Sequence, residues 1–561
     1  MDEKTIHQRR WWILGVLVIC LLVVILDNTI LNVALKTVQE DLDASQSQMQ
    51  WAVDSYALVF AGLLITWGVL GDRLGRKKVL LFGMVAFGAT SALCSFAGSP
   101  TTLIAFRALM GIGAAAVQPQ TLSIIQNVFE PKERPKAIGI WAGASGMAIA
   151  LGPIAGGALL KYFWWGSIFL VNVPIVIIGV AAIFFLVPES KNPRPGRLDP
   201  FGVLLSIVAL VVLVYGVIEG GNSNEWVRWN SLGAILLGLV LLTLFVVMQA
   251  RSTHPTIDVH LFRNRHFSAG VASIGVTFFA LMGSTFYLAY FLQAVRGYTA
   301  LAAGVALIAV AAAVMVAAPL SARLSARFGP RVVTGSGLVI FGVTMICYGL
   351  ATRTMPQWAI EVMMVGFGVG MGLVMTPATN SIMSAVPREK AGAGSAVNNT
   401  VRQVAGALGV AILGSLLAVV FRNHLGSNAP AQLAARLDQP AAVVSRLPAN
   451  EQVSTYVKRD ASESIGGSLE YVGKAVGALQ QRPGTPTPQQ QAQAQQAIGD
   501  FVDNSKNSFM SAMRITSIVA GLFGLIGAIG AFLFLPNRRE HAEHTADAPV
   551  PSSSGEPAMA H

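Results

Sequence analysis

Fourteen apolar segments run through the chain, and each is about as long as a helix that crosses a membrane. A spanning helix needs about 20 mostly apolar residues, and within lipid a single segment satisfies its backbone hydrogen bonds only as a helix. The sequence therefore predicts an all-α integral membrane protein with fourteen transmembrane helices. The predicted spans are 11–35, 49–70, 79–98, 102–126, 137–160, 165–187, 200–218, 231–249, 267–292, 301–323, 332–351, 356–384, 395–421 and 507–535.

The composition agrees with this prediction. Of the 561 residues, 53% are hydrophobic and only 12% are charged, whereas a soluble protein has about 25% charged residues. A soluble enzyme, a disordered chain and a fibrous repeat are therefore excluded. The net charge of +11 does not indicate nucleic-acid binding, because the basic residues lie in short loops between apolar segments. The three cysteines lie inside apolar segments and predict neither a disulfide framework nor a metal site.

The basic residues also predict the orientation of the chain. Alternate loops and the two termini hold 23 lysines and arginines, while the short loops between them hold five. Since basic loops stay in the cytoplasm, both termini are predicted to be cytoplasmic. The apolar segment after Arg9 and Arg10 lacks a small-residue cleavage site, so we interpret it as a retained first span.

An internal repeat divides the chain. Residues Gly71–Lys78 and Ser325–Arg331 share an Arg-x-Gly-x-basic core at an offset of 254 residues. Eight spans separate the copies, which predicts two six-span halves with a two-helix insert. The predicted units are a six-span half (1–190), a two-span insert (191–250), five spans of the second half (251–421), an extracytoplasmic loop (422–506), the last span (507–535) and a disordered cytoplasmic tail (536–561).

Three charged residues lie inside spans of the first half, namely Asp27, Asp54 and Arg107. An aspartate in a span costs roughly 2.5–3.5 kcal/mol on insertion scales, so such a residue is a functional candidate. Arg107 keeps its charge, and the topology places it in the same outer half as both acids, so we expect it to pair with one of them. Three structural alternatives stay open: Asp27 as a helix-packing hydrogen bonder, Asp54 as a solvated acid and Arg107 extended to the surface.

Two further segments combine small residues with special chemistry. In the loop after span 2, glycines permit close helix approach, and Asp72 is expected to cap a neighbouring helix or to pair with an arginine as a cytoplasmic latch. This candidate gate comprises Gly68, Asp72, Arg73, Gly75 and Arg76. Because Ala326 replaces the acid in the second copy, the latch is assigned to the first half. Span 5 has small residues that let helices cross closely and a proline that bends a helix. They include Gly139, Gly152, Pro153, Gly156 and Gly157.

These segments resemble motifs of the major facilitator superfamily, and specifically of its fourteen-span drug:proton antiporter family 2. Gly68–Lys78 resembles the superfamily signature G-x-L-x-D-R-x-G-R-[RK]-[RK]. Leu26–Leu35 resembles the span 1 signature L-D-x-T-I-x-N-V-A-L-P, with Lys36 in place of the final proline. Arg107–Ala114 is similar to R-x-x-x-G-x-G-A, and Gly139–Gly157 to the antiporter motif, with Ala148 in place of one glycine. Trp164–Pro174 resembles the family's entry to span 6, which we interpret as an aromatic anchor with a helix cap.

The resemblance implies a proton-coupled multidrug exporter that works by alternating access in the bacterial cytoplasmic membrane. It implies that Asp27, with Arg107 and Asp54, couples protons to transport. We expect no enzyme activity and no cofactor or metal, because no ATP-binding loop, catalytic triad, zinc site or haem site is present in the sequence. The proton gradient would supply the energy. The expected partners are small-molecule drugs, protons and the lipid bilayer, without nucleic acid, and the protein is expected to be a monomer.

The substrate cavity is expected between the halves. Its candidate residues are Asn28, Asn32, Tyr56, Asn398, Asn399, Arg402 and Gln403. Family members that export organic cations often carry acids in the span that matches 395–421, whereas this chain has amides and an arginine there. We therefore expect monovalent cations, zwitterions or neutral compounds rather than dications, with Glu219 and Glu361 as possible extra anions. A dedicated exporter of one natural antibiotic or lipid, and a membrane sensor that transports nothing, stay open as alternatives.

Overall fold

The computed structural model describes residues 3–44, 46–192, 199–223, 226–252, 259–298, 300–426 and 488–537, with a few positions between 429 and 472. Within these residues the chain is helical and contains no strand. Most of the predicted loop 422–506 and nearly all of the predicted tail 536–561 lie outside the described residues.

Sixteen α-helices make up the bundle in the described part of the chain. They are α1 (Glu3–Asp41), α2 (Gln46–Leu74), α3 (Arg76–Ser95), α4 (Pro100–Val128), α5 (Arg134–Tyr162), α6 (Ser167–Leu170), α7 (Asn172–Leu186), α8 (Pro200–Ser223), α9 (Ala234–Arg251), α10 (Arg265–Tyr290), α11 (Ala300–Ala306), α12 (Ile308–Phe328), α13 (Pro330–Gly349), α14 (Gln357–Ser384), α15 (Ala391–Leu425) and α16 (Pro488–Phe534).

All fourteen predicted spans are helical. Thirteen of the described helical stretches are long and apolar enough to cross a membrane, and the predicted span 137–160 forms the 29-residue α5. Two spans are interrupted, because span 6 consists of α6 and α7 and span 10 consists of α11 and α12. The hydropathy pattern thus predicts where helices lie but not where they break.

The last helix is longer than predicted. It contains 47 residues and begins at Pro488, so the end of the segment that we predicted as a loop is helical. The part before residue 507 extends about 28 Å at 1.5 Å per residue. Glutamine and alanine are good helix formers, which explains why this low-complexity stretch continues the span. Ala497 and Phe501 are buried there, and Asp503 forms a 2.5 Å salt bridge with Arg353 of the α13–α14 loop.

The helices pack as two related halves. In the first half α1 packs against α5, and α4 against both α2 and α3; in the second half α10 packs against α15, and α14 against both α12 and α13. The halves meet where α5 contacts α12 and where α2 contacts α15. Each helix pair of the first half corresponds to a pair eight spans later, for example α1–α5 to α10–α15. The sequence repeat predicts this correspondence. Gly75 and Gly329, which precede α3 and α13, have φ angles of 116° and 88°, a region that disfavours any side chain.

The two-helix insert lies across the junction between the halves. Helix α8 packs against both α2 and α15, and Trp51 of α2 stacks on Tyr215 of α8 with ring centroids 6.3 Å apart. Trp226 donates a 2.8 Å hydrogen bond from its indole N–H to the hydroxyl of Ser415 on α15. Helix α9 packs mainly on α8 and leaves most of its apolar side chains exposed, which suits a surface that faces lipid.

Candidate functional site

Asp27 and Arg107 form a buried ion pair between α1 and α4. The Arg107 Nη1 atom lies 2.6 Å from Asp27 Oδ2, and the side chains are 0% and 1% exposed, respectively. The predicted pairing of Arg107 with an intramembrane acid is therefore present, and the acid is Asp27. A buried ion pair stabilises a fold only when its geometry is good and further hydrogen bonds satisfy both side chains. The neighbouring groups must therefore supply those hydrogen bonds.

Arg107 connects three helices. Its Nε atom donates a 3.1 Å hydrogen bond to the Ala52 carbonyl of α2, and its guanidinium lies 4.3 Å from the centre of the Tyr56 ring. Tyr56, predicted as a cavity residue, thus stacks beneath the cation. The Arg107 Nη2 atom has no hydrogen-bond partner among the described residues. The guanidinium therefore keeps one donor available when the other contacts change.

Asn172 completes the site, and the sequence did not predict its role. Its side-chain amide donates to Asp27 Oδ1 at 3.1 Å and lies 3.1 Å from the Ser91 hydroxyl of α3. That hydroxyl donates in turn to the Phe169 carbonyl of α6 at 2.8 Å. The interpretation of the Trp164–Pro174 motif as an anchor and a cap does not include this contact with Asp27. The asparagine of that motif was the available signal, because an amide inside an apolar segment needs a polar partner.

The other candidates of the first two spans are less buried. Asp54 lies on α2 two residues after Ala52 and is half-buried, as is Asn28 on α1. The side chain of Asn32 lies outside the described residues. The structure therefore unites Asp27, Arg107 and Tyr56 in one cluster, while a role for Asp54 in proton coupling stays a prediction.

Thr29 connects α1, the helix that carries Asp27, to α5. The Thr29 hydroxyl lies 3.5 Å from the Ala148 carbonyl, and a side chain at Gly152 would collide with Thr29. A Cβ atom at Gly156 would lie 3.3 Å from the Ile30 carbonyl, whereas one at Gly157 would meet nothing within 4 Å. The side chain of Pro153 lies outside the described residues. The second part of the predicted antiporter motif thus packs on α1.

The first part of that motif packs on the other half of the protein. A Cβ atom at Gly139 would lie 2.9 Å from the Ala318 carbonyl of α12, and one at Gly143 would lie 3.3 Å from the Met315 Cα atom. Gly146 is similarly close to Val314, since a Cβ atom there would be 2.5 Å from its side chain. Helix α5 therefore contacts α1 through its later glycines and α12 through its earlier ones.

A second buried cation lies between the halves. Arg402 of α15 donates a 3.2 Å hydrogen bond to the Thr379 hydroxyl of α14. Its guanidinium lies 4.7 Å from the ring centre of Trp141 on α5 and 5.0 Å from that of Phe278 on α10. Asn398 lies one turn earlier on α15 and is also buried.

The other predicted residues of α15 differ in their surroundings. Asn399 is buried, and its amide donates a 3.0 Å hydrogen bond to the Ser395 carbonyl. Gln403 is half-buried. The Asn399 Oδ1 atom has no hydrogen-bond partner among the described residues. Asn398, Asn399 and Arg402 are therefore buried neighbours on α15, because positions three and four apart share a helix face, whereas Gln403 is less buried.

Asp72 joins the two halves at one end of the bundle, which we call the Asp72 end. Its Oδ1 and Oδ2 atoms accept hydrogen bonds of 2.9 and 3.1 Å from the backbone N–H groups of Gly392 and Ala393 at the start of α15. Arg76 pairs with the same carboxylate at 2.6 Å and donates to the Arg388 carbonyl at 2.9 Å. The two predicted alternatives, a helix cap and an arginine pair, are both present.

The glycines of the candidate gate allow the backbone around α2 to approach neighbouring segments closely. A Cβ atom at Gly68 would lie 2.5 Å from the Gly392 carbonyl. Gly75 has a positive φ, and a Cβ atom there would lie 2.7 Å from the Glu189 carboxylate, which accepts a 3.1 Å hydrogen bond from the N–H of Lys77. Arg73 is half-buried beside them. Gln126 of α4 adds another link between the halves by donating to the Met383 carbonyl at 2.6 Å.

Like charges also meet at the Asp72 end. Arg134 begins α5 and donates a 3.0 Å hydrogen bond to the Phe129 carbonyl. Burial, and then the nearby cation of Arg388, lower the pKa of Arg134 to about 10. Each half thus contributes a cation at this end, and the hydrogen bonds of Asp72 between the halves act against the repulsion of these cations.

The fold and this site define the class of the protein as a membrane transporter built from two related helical halves with buried ion pairs. The chain belongs to the Major Facilitator Superfamily, whose family model matches residues 17–410. The crystal structure of the human organic anion transporter MFSD10 has the same fold, with a TM-score of 0.55 and 15% identity, and the alignment covers 74% of this chain and 94% of that one.

Curated relatives are more similar in sequence. The multidrug efflux pump LfrA of Mycolicibacterium smegmatis is 36% identical over 448 residues, which cover 79% of this chain and 88% of LfrA. The methyl viologen resistance protein SmvA of Salmonella typhimurium is 35% identical over 418 residues, which cover 74% of this chain and 83% of SmvA.

Proposed function

We propose that the protein exports lipophilic compounds in exchange for protons, with a preference for monovalent cationic or neutral molecules. The observation that carries the proposal is the buried Asp27–Arg107 pair, in a chain whose relatives include a multidrug efflux pump and a resistance protein. A buried carboxylate that is either paired with an arginine or protonated has two states, and a proton can shift the balance between them.

Protonation of Asp27 would remove the charge that holds Arg107 to α1. The guanidinium would keep its contacts with Ala52 and Tyr56 on α2, while Asn172 would still donate to the neutral carboxyl group. The attraction between α1 and α4 therefore weakens while both side chains stay in place. A substrate that favours the charged state of Asp27 would in turn promote proton release, since the coupling is reciprocal.

A continuous series of contacts connects Asp27 to the other half of the protein. Thr29 lies two residues after Asp27 and contacts α5 at Ala148. The same helix packs on α12 through Gly139 and Gly146. We propose that movement of α1 shifts α5 against α12 and so changes which end of the bundle is closed.

The Asp72 end would be the cytoplasmic gate. Its loops hold the arginines and lysines that favour the cytoplasmic side, which supports the proposal that both termini lie in the cytoplasm. The membrane would be the bacterial cytoplasmic membrane, because the curated relatives named above are bacterial. One chain contains both halves of the proposed pathway, so a monomer suffices for transport.

The test is transport by the purified full chain in proteoliposomes. We expect an imposed pH gradient to drive movement of rhodamine 123, a lipophilic monovalent cation, and a proton ionophore to stop it. Transport that is indifferent to the gradient, in wild type and in Asp27→Asn alike, would contradict proton coupling.

A susceptibility panel in a host that lacks its own pumps separates the alternatives. Resistance to many unrelated compounds supports a multidrug exporter, whereas resistance to a single compound supports a dedicated one. A protein that binds compounds in detergent but moves none of them in proteoliposomes would be a sensor.

A further inference from the structure

The buried charges of the described residues do not balance. Five charged side chains are buried there: Asp27, Asp72, Arg76, Arg107 and Arg402. Asp27 pairs with Arg107 and Asp72 pairs with Arg76. Arg402 is left without a carboxylate partner in the described part of the chain, although it is only 6% exposed.

The contacts of Arg402 leave its hydrogen-bonding capacity largely unused. Arg402 donates a hydrogen bond to the uncharged Thr379 hydroxyl, and its guanidinium lies near the rings of Trp141 and Phe278. The Arg402 Nε atom has no partner among the described residues. The Trp141 ring is itself held by a 3.1 Å hydrogen bond from its indole N–H to the Thr121 hydroxyl, so the aromatic surface is fixed in position.

An unpartnered amide lies on the same face of α15. Asn398 is 0% exposed, yet neither its Nδ2 nor its Oδ1 atom has a hydrogen-bond partner in the described residues. Asn398 and Arg402 are four residues apart and therefore point in the same direction. Buried polar groups are normally paired, so two such side chains on one face indicate a ligand.

The donors define the chemistry of that ligand. A guanidinium presents its N–H groups in a planar fork that matches a carboxylate, and an amide N–H adds a third donor. A buried cation without a counter-ion is costly, so an anion gains more here than at a paired site. The rings of Trp141 and Phe278 offer flat apolar surfaces to an aromatic body.

We propose that Arg402 and Asn398 form a subsite for the carboxylate of an amphipathic aromatic substrate. The proposal rests on the export function proposed above and narrows its neutral substrates to zwitterions that carry a carboxylate. Trp141 belongs to the first half and Arg402 to the second, so separation of the halves opens the subsite, and their approach encloses the bound carboxylate.

The experiment compares two dyes that differ at one group. Rhodamine 110 carries a free carboxylate, and rhodamine 123 is its methyl ester, so the aromatic body is the same. Equilibrium binding to the purified full chain is measured by fluorescence polarisation. Because a charged hydrogen bond contributes about 1.5–3 kcal/mol, we expect Arg402→Gln to weaken rhodamine 110 binding at least about tenfold. Rhodamine 123 binding should be unchanged or stronger.

Two further variants keep the test independent of the folding of Arg402→Gln. Asn398→Asp places a carboxylate one turn from Arg402, where it would pair with the guanidinium and exclude the dye's own carboxylate. We expect the same selective loss of rhodamine 110 binding. Arg251→Gln makes the same charge change at an exposed position on α9 and should leave both dyes unaffected.

The outcomes separate the subsite from the export function. Wild-type protein that binds rhodamine 123 but not rhodamine 110 would overturn the subsite and leave the export function standing. Equal losses for both dyes in Arg402→Gln, or unchanged rhodamine 110 binding in Asn398→Asp, would also overturn the subsite. Wild-type protein that binds neither dye would overturn the export proposal and the subsite together.

Discussion

The Asp72 carboxylate accepts a 2.9 Å hydrogen bond from the backbone N–H of Gly392 and thereby joins the end of α2 to the start of α15. These residues lie 320 positions apart and belong to different halves. The first N–H groups of a helix lack partners within the helix, and the positive end of its dipole favours an anion. One aspartate thus closes one end of the transporter by capping a helix of the opposite half.

We predict that Asp72→Ala impairs conformational cycling and leaves substrate affinity within a few-fold of wild type. The variant loses two hydrogen bonds from α15 to a charged group, each worth about 1.5–3 kcal/mol, and also the pairing with Arg76, so closure of the Asp72 end should weaken by about 3 kcal/mol or more. Transport rate in proteoliposomes should fall, while equilibrium binding of rhodamine 123 holds. Glu130→Gln, an exposed change at the same end, is the control. A large loss of binding with normal cycling would instead place Asp72 in the substrate site.

We predict that Asp27→Asn abolishes transport driven by a pH gradient. Asparagine keeps the shape but has no proton to exchange, and it leaves Arg107 buried without a counter-charge. Breaking a buried pair in this way typically costs about 3–5 kcal/mol, so thermal stability should also fall.

The double variant Asp27→Asn, Arg107→Gln separates these two effects. It removes both charges, so much of the lost stability should return while coupling stays absent. Asp54→Asn tests the second predicted coupling acid separately, because Asp54 is only half-buried and lies outside the Asp27–Arg107 pair. Gradient-driven transport at the wild-type rate in Asp27→Asn would show that another group carries the proton.

We predict opposite results for two alanine substitutions within the glycine motif of α5. In Gly139→Ala the new Cβ atom would lie 2.9 Å from the Ala318 carbonyl and 3.0 Å from the Pro319 Cα atom. Both are backbone atoms, so the halves must separate slightly, at a typical overpacking cost of about 1–3 kcal/mol. Transport should drop. In Gly157→Ala the Cβ atom would meet nothing within 4 Å, and transport should match wild type; equal losses in both would contradict the assigned contact.

We predict that dications are poor substrates. A buried dication needs about one anionic partner per charge. The spans of the first half offer Asp27, which is already paired with Arg107, and Asp54, while Arg402 in the second half repels cations. Transport of methyl viologen, a dication, should be slower than that of rhodamine 123 in the same proteoliposomes. Equal transport that persists in Glu219→Gln and in Glu361→Gln would contradict this charge count.

The sequence was sufficient for the number and approximate positions of the spans and for locating the charged residues inside them. Burying a charge in lipid is so costly that the few charged residues inside apolar segments stand out, which predicts Asp27 and Arg107 as candidates, whereas Arg402 follows from comparison with the family's acids in the same span. The repeat around Gly75 and Gly329 was visible because two loops need the same backbone geometry. The breaks at α6 and α11 were not predicted, since apolar residues continue on both sides of them.

The amino-acid sequence by itself determined that the chain forms fourteen spans in two halves and which spans carry charge. Hydropathy reports how readily a segment enters lipid, but it carries little information on which face of each helix meets which neighbour. Only the tertiary structure decided that Asn172, 145 residues from Asp27, holds the same carboxylate, and that Asp72 caps α15. It also decided that Arg402 stands without an acid among the described residues, because pairing depends on how distant helices rotate and pack.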